Sequence, residues 1–226
     1  MREWRHRLVL AEAWAIRFAL WFVFERLLRI RTEDLREDIW LGDADRLAYI
    51  PSQWLTLPRA LRRSELTADD VLVDFGCGKG RIVVEAALLY RLKRVVGVEL
   101  SPELVQIARG NLARNRLLLR TRDVEIVESD VLAYPIPDDV TVAYFFHPFQ
   151  GPIFSHVIDE LIASVDRSPR RLRIIYCNPV LEATMLETGR IRRVGSGHSL
   201  RSRVSLDEWL AIYEVEPAPI SEENAG

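Results

Sequence analysis

Three glycines at every second position interrupt two apolar runs in the segment 74-DFGCGKG-80. Glycine adopts positive φ readily and lets a ligand approach the main chain, so this loop is a candidate binding site. A phosphate-binding P-loop requires Ser or Thr after GxxxxGK, whereas Arg81 follows Gly80 here. The dinucleotide fingerprint GxGxxG requires glycine or alanine where Arg81 stands or, in a shifted register, where Val83 stands. The spacing therefore matches neither of these two loops.

Two further acids follow the loop, each at the end of a strand-like run. Glu99 lies nineteen residues after Gly80, where a carboxylate can accept hydrogen bonds from both hydroxyls of a ribose. Nicotinamide enzymes place an acid similarly, so Glu99 indicates a nucleoside more than a particular reaction. Asp130 follows the next run, in 128-ESDVLAY-134. Asp74, Glu99 and Asp130 are therefore predicted to share one ligand-binding edge.

The next two runs end in polar side chains beside prolines. The run 140-VTVAYFFHPF-149 ends in His147-Pro148-Phe149, and Asn178-Pro179 follows the run after it. An ordinary histidine pKa of about 6.5 suits a general base at neutral pH. A hydrogen bond that positions a bound molecule, or a cap on the strand end, would use the same side chain. We predict His147 as a catalytic base or positioning residue and Asn178 as a second polar group nearby.

Short apolar runs alternate with helix-like segments after residue 70, which predicts a parallel sheet covered by helices on both faces. The expected fold is an α/β three-layer sandwich whose mostly parallel seven-stranded sheet has an antiparallel last strand. Ligands of such sheets bind at the carboxyl ends of the strands. The predicted strands are 71–75, 94–99, 123–128, 140–146, 171–177, 190–195 and 209–216, and the predicted helices are 79–90, 102–115, 151–165 and 180–187.

The chain is divided by composition into three parts. Residues 1–65 are predicted as an N-terminal helical extension, 66–216 as one ligand-binding domain and 217–226 as a disordered tail. Thr32 and Ser52 are predicted helix caps in the extension, and Ser101-Pro102 has the residue types of a helix start.

Charge and cysteine content limit the class of protein. The net charge of −2 and pI of about 6.1 provide no overall basic field for nucleic acid, although arginines are frequent in the first 31 residues. Cys77 and Cys177 are too few for a disulfide framework or a zinc site, and no other metal-ligand cluster is visible. We therefore predict a cytoplasmic protein without a metal. Lys79 and Arg81 are expected as solvated charges or local ion pairs.

The segment 8-LVLAEAWAIRFALWFVFERLL-28 is unusually apolar and aromatic. Glu12, Arg17 and Glu25 interrupt it, so it is predicted to be neither a spanning helix nor a signal peptide. At about 100° per residue these charges scatter around a helix, so several of its faces require cover. We predict packing on the domain or across a homodimer. Contact of residues 4–30 with a membrane surface is the alternative.

The acid-x-Gly-x-Gly-x-Gly loop, with Glu99 and Asp130 in order behind it, resembles the class I S-adenosylmethionine (SAM) dependent methyltransferases over roughly residues 45 to 216. The resemblance implies SAM as cofactor. It implies that Asp74 helps to hold the ammonium group, Glu99 the ribose hydroxyls and Asp130 the adenine amine. The cofactor-binding residues expected on this basis are Asp74, Gly76, Cys77, Gly78, Gly80, Glu99, Leu100, Asp130, Val131, Phe146 and Tyr49.

The methyl acceptor is less defined than the cofactor. Amine-directed members of that class carry Asn or Asp, two prolines and an aromatic where this chain has His147-Pro148-Phe149. The segments 49-YIPS-52 and 80-GRIV-83 are similar to small protein-lysine methyltransferases. We expect a protein lysine or a small molecule as acceptor, next to His147-Pro148-Phe149, with Tyr49 and Asn178 at the rim. A nicotinamide-dependent oxidoreductase and a SAM-binding relative without catalysis are the alternatives. The glycine spacing and the missing Tyr-x-x-x-Lys pair argue against the first of these.

Overall fold

One seven-stranded sheet organises the protein in a computed structural model that describes residues 15–33, 45–47, 49–197 and 210–217. The strand order is β3-β2-β1-β4-β5-β7-β6. Strands β1 to β5 are parallel, and β7 runs antiparallel to both of its neighbours. This confirms the predicted α/β fold with its antiparallel last strand. The strands are β1 (Val71–Phe75), β2 (Arg94–Glu99), β3 (Val124–Glu128), β4 (Val142–Phe145), β5 (Leu172–Cys177), β6 (Ile191–Ser196) and β7 (Leu210–Val215).

Helices cover both faces of the sheet, as the continuous burial of β1, β4 and β5 requires. Helix α4 packs Val157 and Leu161 against one face, and α2 packs Val83 against the other. Alternate residues of β1 point to opposite faces, with Val73 in the first apolar cluster and Leu72 in the second. The helices are α1 (Thr56–Ala60), α2 (Arg81–Leu89), α3 (Pro102–Asn115), α4 (Gly151–Arg167) and α5 (Glu182–Leu186).

The strand order brings the predicted polar residues to one edge. Because β1 to β5 are parallel, the residues that follow them lie side by side in the order of the strands in the sheet. Successive strands are added on one side of β1 up to β3 and on its other side from β4 onward, so the strand order reverses between β1 and β4. Ligands of doubly wound sheets bind at such a switch point. The fold therefore places the glycine loop at the centre of the edge, with the acids on one side and His147 on the other.

One of two predicted helix caps is confirmed and the other is wrong. The Ser101 hydroxyl accepts a hydrogen bond from the Leu104 amide at 3.4 Å and caps α3, as predicted. The prediction of Ser52 as a helix cap is wrong, because α1 begins only after Leu55. The Glu85 carboxylate accepts hydrogen bonds from the amides of Leu55 and Leu57, at 2.5 and 2.8 Å, at the start of α1. Burial of this carboxyl raises its pKa to about 7.

The described part of the N-terminal segment contacts the domain through the residues from Phe24 onward. Residues 15–21 are α-helical and continue as a π-helix, Phe22–Leu27. Phe24 and Ile30 are buried, and the Phe24 ring stacks on Trp54 with 4.1 Å between centroids. Residues 15–19 are exposed. Within the described ranges no helix is long and apolar enough to cross a membrane.

Some predictions fall on residues that the structure does not describe. The predicted tail lies outside the described residues after Pro217, and so does the part of the segment 4–30 that precedes residue 15. Thr32 immediately precedes Glu33, the last described residue before a gap, so a helix start after it also lies outside. The boundary between residues 65 and 66 stays a prediction.

Candidate functional site

A cleft of about 340 Å³ opens at the carboxyl ends of β1 to β5. This volume is typical of small-molecule sites. Of the predicted residues, only Gly80 lies outside its lining; the Gly80 amide instead donates to the Cys77 carbonyl at 2.8 Å and closes the loop. The predicted residues that line the cleft are Tyr49, Asp74, Gly76, Cys77, Gly78, Glu99, Leu100, Asp130, Val131, Phe146, His147 and Asn178.

Two loop positions require glycine for space as well as for conformation. Gly76 and Gly78 have φ values of 74° and 56°. A Cβ atom on Gly78 would lie 2.2 Å from the Tyr49 ring, and one on Gly76 would lie 2.4 Å from Cβ of Pro148. The Gly76 amide donates to the Val98 carbonyl at 2.9 Å, which ties the loop to β2. The main chain of the loop is therefore held in place at the wall of the cleft.

Two buried carboxylates, Asp74 and Glu99, lie beside this loop. Glu99 accepts hydrogen bonds from the amides of Gly78 and Ser101, at 2.8 and 2.9 Å. The Asp74 carboxylate accepts no hydrogen bond from the described residues, and burial together with the neighbouring Glu99 charge raises its pKa well above the ordinary value. Burial also raises the pKa of Glu99, and the amide hydrogen bonds oppose that shift. A cation beside Asp74 would offset both unfavourable effects, so the pair suits an ammonium group.

Asp130 lies farther along the edge, beyond the end of β3, and is paired with an arginine. Its carboxylate forms an ion pair with Arg46 at 2.5 Å and accepts a hydrogen bond from the Leu132 amide at 3.0 Å. Arg46 belongs to the segment 45–47, which is joined to the chain after β4 by a hydrogen bond from the Leu47 amide to the Pro148 carbonyl, at 3.1 Å. Arg46 also lines the cleft. Sequence reasoning missed this partner of Asp130.

Tyr49 links the glycine loop to the N-terminal segment. Its hydroxyl donates to the Thr32 carbonyl at 2.9 Å, and the Lys79 ammonium lies 5.1 Å from its ring centroid. Burial raises the pKa of Tyr49 above its ordinary value. The expectation of a solvated Lys79 is wrong, since the residue is only 2% exposed. The aromatic ring takes the place of water around the ammonium group.

Arg81 is likewise buried, so of the two expected roles the solvated charge is wrong, whereas the residue does form ion pairs. Its guanidinium donates to the Thr32 hydroxyl at 2.8 Å and to the Ser52 carbonyl at 2.6 Å. It also forms ion pairs with Glu25 at 3.2 Å and Glu33 at 2.9 Å. Five donors in a planar fork allow one arginine to make all these contacts. Arg81 therefore joins the first turn of α2 to the N-terminal segment and to the chain that precedes α1.

His147 lies at the end of β4 in a strained conformation, with φ of 44°. Its Nδ1 is 3.0 Å from the Tyr176 hydroxyl, and that phenol oxygen also interacts with the Leu181 amide. Partial burial lowers the pKa of His147, which favours the neutral ring. Asn178 directly follows β5, has φ of 52° and is exposed. Both side chains line the cleft on the side of the glycine loop away from Asp130.

A buried polar chain lies beneath this side of the cleft. The Tyr144 hydroxyl is 2.7 Å from the Ser52 hydroxyl and donates towards the Cys177 sulfur at 3.2 Å. Ser52 and Tyr144 line the cleft, although sequence reasoning did not select Tyr144. Phe149 is 3% exposed and meets Phe145 edge to face, with 6.0 Å between ring centroids. Its ring thus belongs mainly to the core.

Comparisons with known proteins find methyltransferases among the proteins that this chain resembles. A family described as "Methyltransferase domain" matches residues 72–168. A protein-lysine N-methyltransferase of Saccharolobus islandicus is 31% identical over 97 residues, which are 43% of this chain and 58% of that protein. A ribosomal protein L11 methyltransferase of Aeromonas hydrophila is 37% identical over 71 residues, 29% of this chain and 24% of that protein. The matched regions thus span 58% and 24% of the lengths of these two relatives.

Solved structures show the same fold. A chain from the complex of the Haloferax volcanii Trm112 methyltransferase activator with a putative methyltransferase superposes with a TM-score of 0.52. It is 18% identical, and the superposition covers 73% of this chain and 90% of that one. Residues 72–168, which are 97 of the 226 residues, are thus similar to a methyltransferase domain and to the methyltransferase relatives, and the superposition shows the shared fold.

Proposed function

We propose that this protein transfers a methyl group from SAM to a protein lysine. The observation that carries the cofactor assignment is the convergence of Asp74, Glu99 and Asp130 on one cleft beside the glycine loop. The lysine acceptor is supported by the named Saccharolobus relative and by the similarity of 49-YIPS-52 and 80-GRIV-83 to small protein-lysine methyltransferases. A small-molecule acceptor is the second candidate.

The residues of the cleft fit an amino acid joined to a nucleoside. The buried Asp74 carboxylate accepts no hydrogen bond from the described chain and would pair with the ammonium group of the methionine moiety. Gly76 and Gly78 leave the space that side chains would fill. Glu99 would accept the ribose hydroxyls, and Asp130 would take the adenine amine after exchange with Arg46. Leu100 and Val131 provide partly buried apolar surface between these acids.

SAM supplies a methyl group that its sulfonium already activates, so the chain has to align a nucleophile and exclude water. A lysine ammonium must lose a proton before it can act as that nucleophile. Tyr49, Ile50 and Phe146 line the cleft and would remove water from the amine. Loss of water disfavours the charged form and lowers the pKa of a lysine. Desolvation can therefore release the proton to solvent without a dedicated base.

The hydrogen bond between His147 and Tyr176 favours a positioning role for the histidine. The Tyr176 oxygen already interacts with the Leu181 amide, so its own proton is available for Nδ1 of His147. An accepting Nδ1 leaves the proton of a neutral ring on Nε2. In that tautomer His147 presents a hydrogen-bond donor to the cleft. We infer that it holds a carbonyl or hydroxyl of the acceptor, with Asn178 as a second polar contact at the rim.

Isothermal titration calorimetry tests the cofactor assignment. The wild-type protein should bind SAM and S-adenosylhomocysteine, and Glu99→Ala should weaken binding by about 1.5 to 3 kcal/mol through loss of charge-assisted hydrogen bonds. Glu125→Ala, an exposed carboxylate on β3, is the matched control and should bind as the wild type does. Binding of NAD in place of SAM would instead support the oxidoreductase alternative.

Transfer from methyl-labelled SAM tests the acceptor. Incubation with cell protein and with a small-molecule extract, followed by mass spectrometry, should place the label on lysine Nζ atoms. Label recovered only in small molecules would support the second candidate. SAM binding without transfer to either fraction would support a SAM-binding relative without catalysis.

A further inference from the structure

We propose that the N-terminal helix and the end of α3 form a docking surface for an anionic lipid membrane. The docking surface consists of apolar side chains from residues 16–27 and 117–118, bordered by arginines. It is distinct from the cleft, and the inference does not depend on the proposed methyl transfer.

The apolar part of the docking surface is large for a chain segment in water. Phe18, Phe22 and Leu27 are 50%, 45% and 62% exposed. Leu117 and Leu118 add exposed fractions of 89% and 56%. The Phe18 and Phe22 ring centroids are 6.5 Å apart, and Phe22 lines one groove with Leu27, so these three form a continuous apolar surface. Such a surface marks an interaction site in soluble proteins.

Two hydrogen bonds place the end of α3 against the end of the N-terminal helix. The Asn115 side-chain amide donates to the Leu28 carbonyl at 3.0 Å, and Arg114 Nε donates to the Arg29 carbonyl at 3.1 Å. Leu117 follows Asn115 by two residues, so the exposed leucines begin next to the point where α3 contacts the end of the N-terminal helix. These contacts fix the helix relative to the domain, so its apolar side chains are presented on a defined surface.

The exposed charged residues of the groove beside this apolar surface are all arginines. Phe22 and Leu27 line this groove, and the arginines are Arg26, Arg29, Arg31 and Arg114. Glu25 is the acid in the groove lining, and its carboxylate is only 7% exposed because it binds Thr32 and Arg81. Arginines beside exposed aromatic and leucine side chains are typical of helices that lie in the interface of an anionic bilayer.

Charge also decides between a membrane and a second copy of the chain. Homodimers mostly have two-fold symmetry, which places the same patch on both sides of the interface. Such a dimer would bring these arginines towards one another, whereas an anionic lipid surface neutralises them.

Vesicle co-sedimentation of the full chain tests the proposal. The protein should pellet with phosphatidylcholine vesicles in which roughly one third of the lipid is phosphatidylglycerol, and added salt should release it because salt shortens the screening length. It should remain in solution with vesicles of pure phosphatidylcholine. Arg26→Gln with Arg31→Gln should weaken partitioning about 30-fold. The control double variant, Arg171→Gln with Arg192→Gln, also removes two positive charges, one directly before β5 and one on β6, and should change partitioning little.

A second pair of variants tests the apolar contribution. Leu27→Ser should reduce partitioning about tenfold, and Val194→Ser, an exposed side chain on β6, should not. Unchanged thermal unfolding establishes that each variant is folded. Equal effects of both double variants, equal binding to neutral and anionic vesicles, or binding of RNA without vesicle binding would overturn the proposal. A dimer that Leu27→Ser dissociates, without any vesicle binding, would also overturn it.

Discussion

Replacement of Arg81 should loosen the contact between the N-terminal segment and α2. The Arg81 guanidinium donates to the Thr32 hydroxyl at 2.8 Å and pairs with Glu25 at 3.2 Å. Both charged side chains of this pair are buried, with exposed fractions of 6% and 7%. Glu33, the second acidic partner, is 48% exposed, so solvent screens its contribution. The Arg81–Glu25 pair is therefore the part of the network whose loss should be measurable.

The expected magnitude follows from the burial of the charge that remains. Loss of one partner of a buried ion pair costs about 3 to 5 kcal/mol, because the other charge stays buried without compensation. We expect this cost for Arg81→Met. Glu25→Gln should cost about 1.5 to 3 kcal/mol, since Arg81 keeps its other hydrogen bonds. The double variant should cost about 1 to 3 kcal/mol less than the sum of the two single variants.

Hydrogen exchange of peptides that cover residues 24–33, with urea unfolding of the whole chain, measures these free energies. Local exchange is needed because the segment can open without global unfolding. Arg81→Lys keeps the charge but not the planar fork, so its effect should lie between those of the wild type and Arg81→Met. Arg171→Met is an exposed control. Additivity within about 0.5 kcal/mol, or exchange unchanged from the wild type, would refute the coupling of Arg81 and Glu25.

Three further perturbations test the cleft and its surroundings. His147→Ala should leave SAM affinity within a few fold of the wild type while turnover falls, by ~10²-fold if the histidine is a base. His147→Asn should recover part of the turnover if the histidine only positions the acceptor. Full turnover of His147→Ala would show that the residue is structural. The folded-state pKa of Glu85 is about 7 and its ordinary value is 4.5, so the folded state binds more protons than the unfolded state between these pH values. The free energy of unfolding should therefore fall as pH rises from 4.5 to about 7, by on the order of 3 kcal/mol. Urea unfolding at several pH values should show this slope in the wild type and not in Glu85→Gln. Gly78→Ala should lower SAM affinity and stability by more than the backbone cost of about 1 kcal/mol, because the new methyl group would lie 2.2 Å from the Tyr49 ring. Gly189→Ala, with φ of 65° and no neighbour within 4 Å of the new atom, measures the backbone cost alone, and equal effects of the two substitutions would contradict the close contact.

The sequence alone determined the architecture and the main residues of the cleft. The strands β1 and β2 and the helix α3 have the predicted bounds, because apolar periodicity and a Ser-Pro start are encoded within a few residues. Once the strands are parallel, topology alone places Asp74, Glu99 and His147 on one edge. This explains why twelve of the thirteen predicted site residues line the same cleft.

The tertiary structure decided which charges are buried and which residues contact them. Arg81 meets Glu25, which lies 56 residues earlier in the chain, and Asp130 meets Arg46, which lies 84 residues earlier. No local pattern encodes such pairs, so the sequence predicted solvated charges or local ion pairs at Lys79 and Arg81 and a helix cap at Ser52. Desolvation and ion pairing depend on partners that only the folded chain brings together. The polar surroundings of the cleft are therefore a property of the tertiary structure, whereas its glycine loop is a property of the sequence.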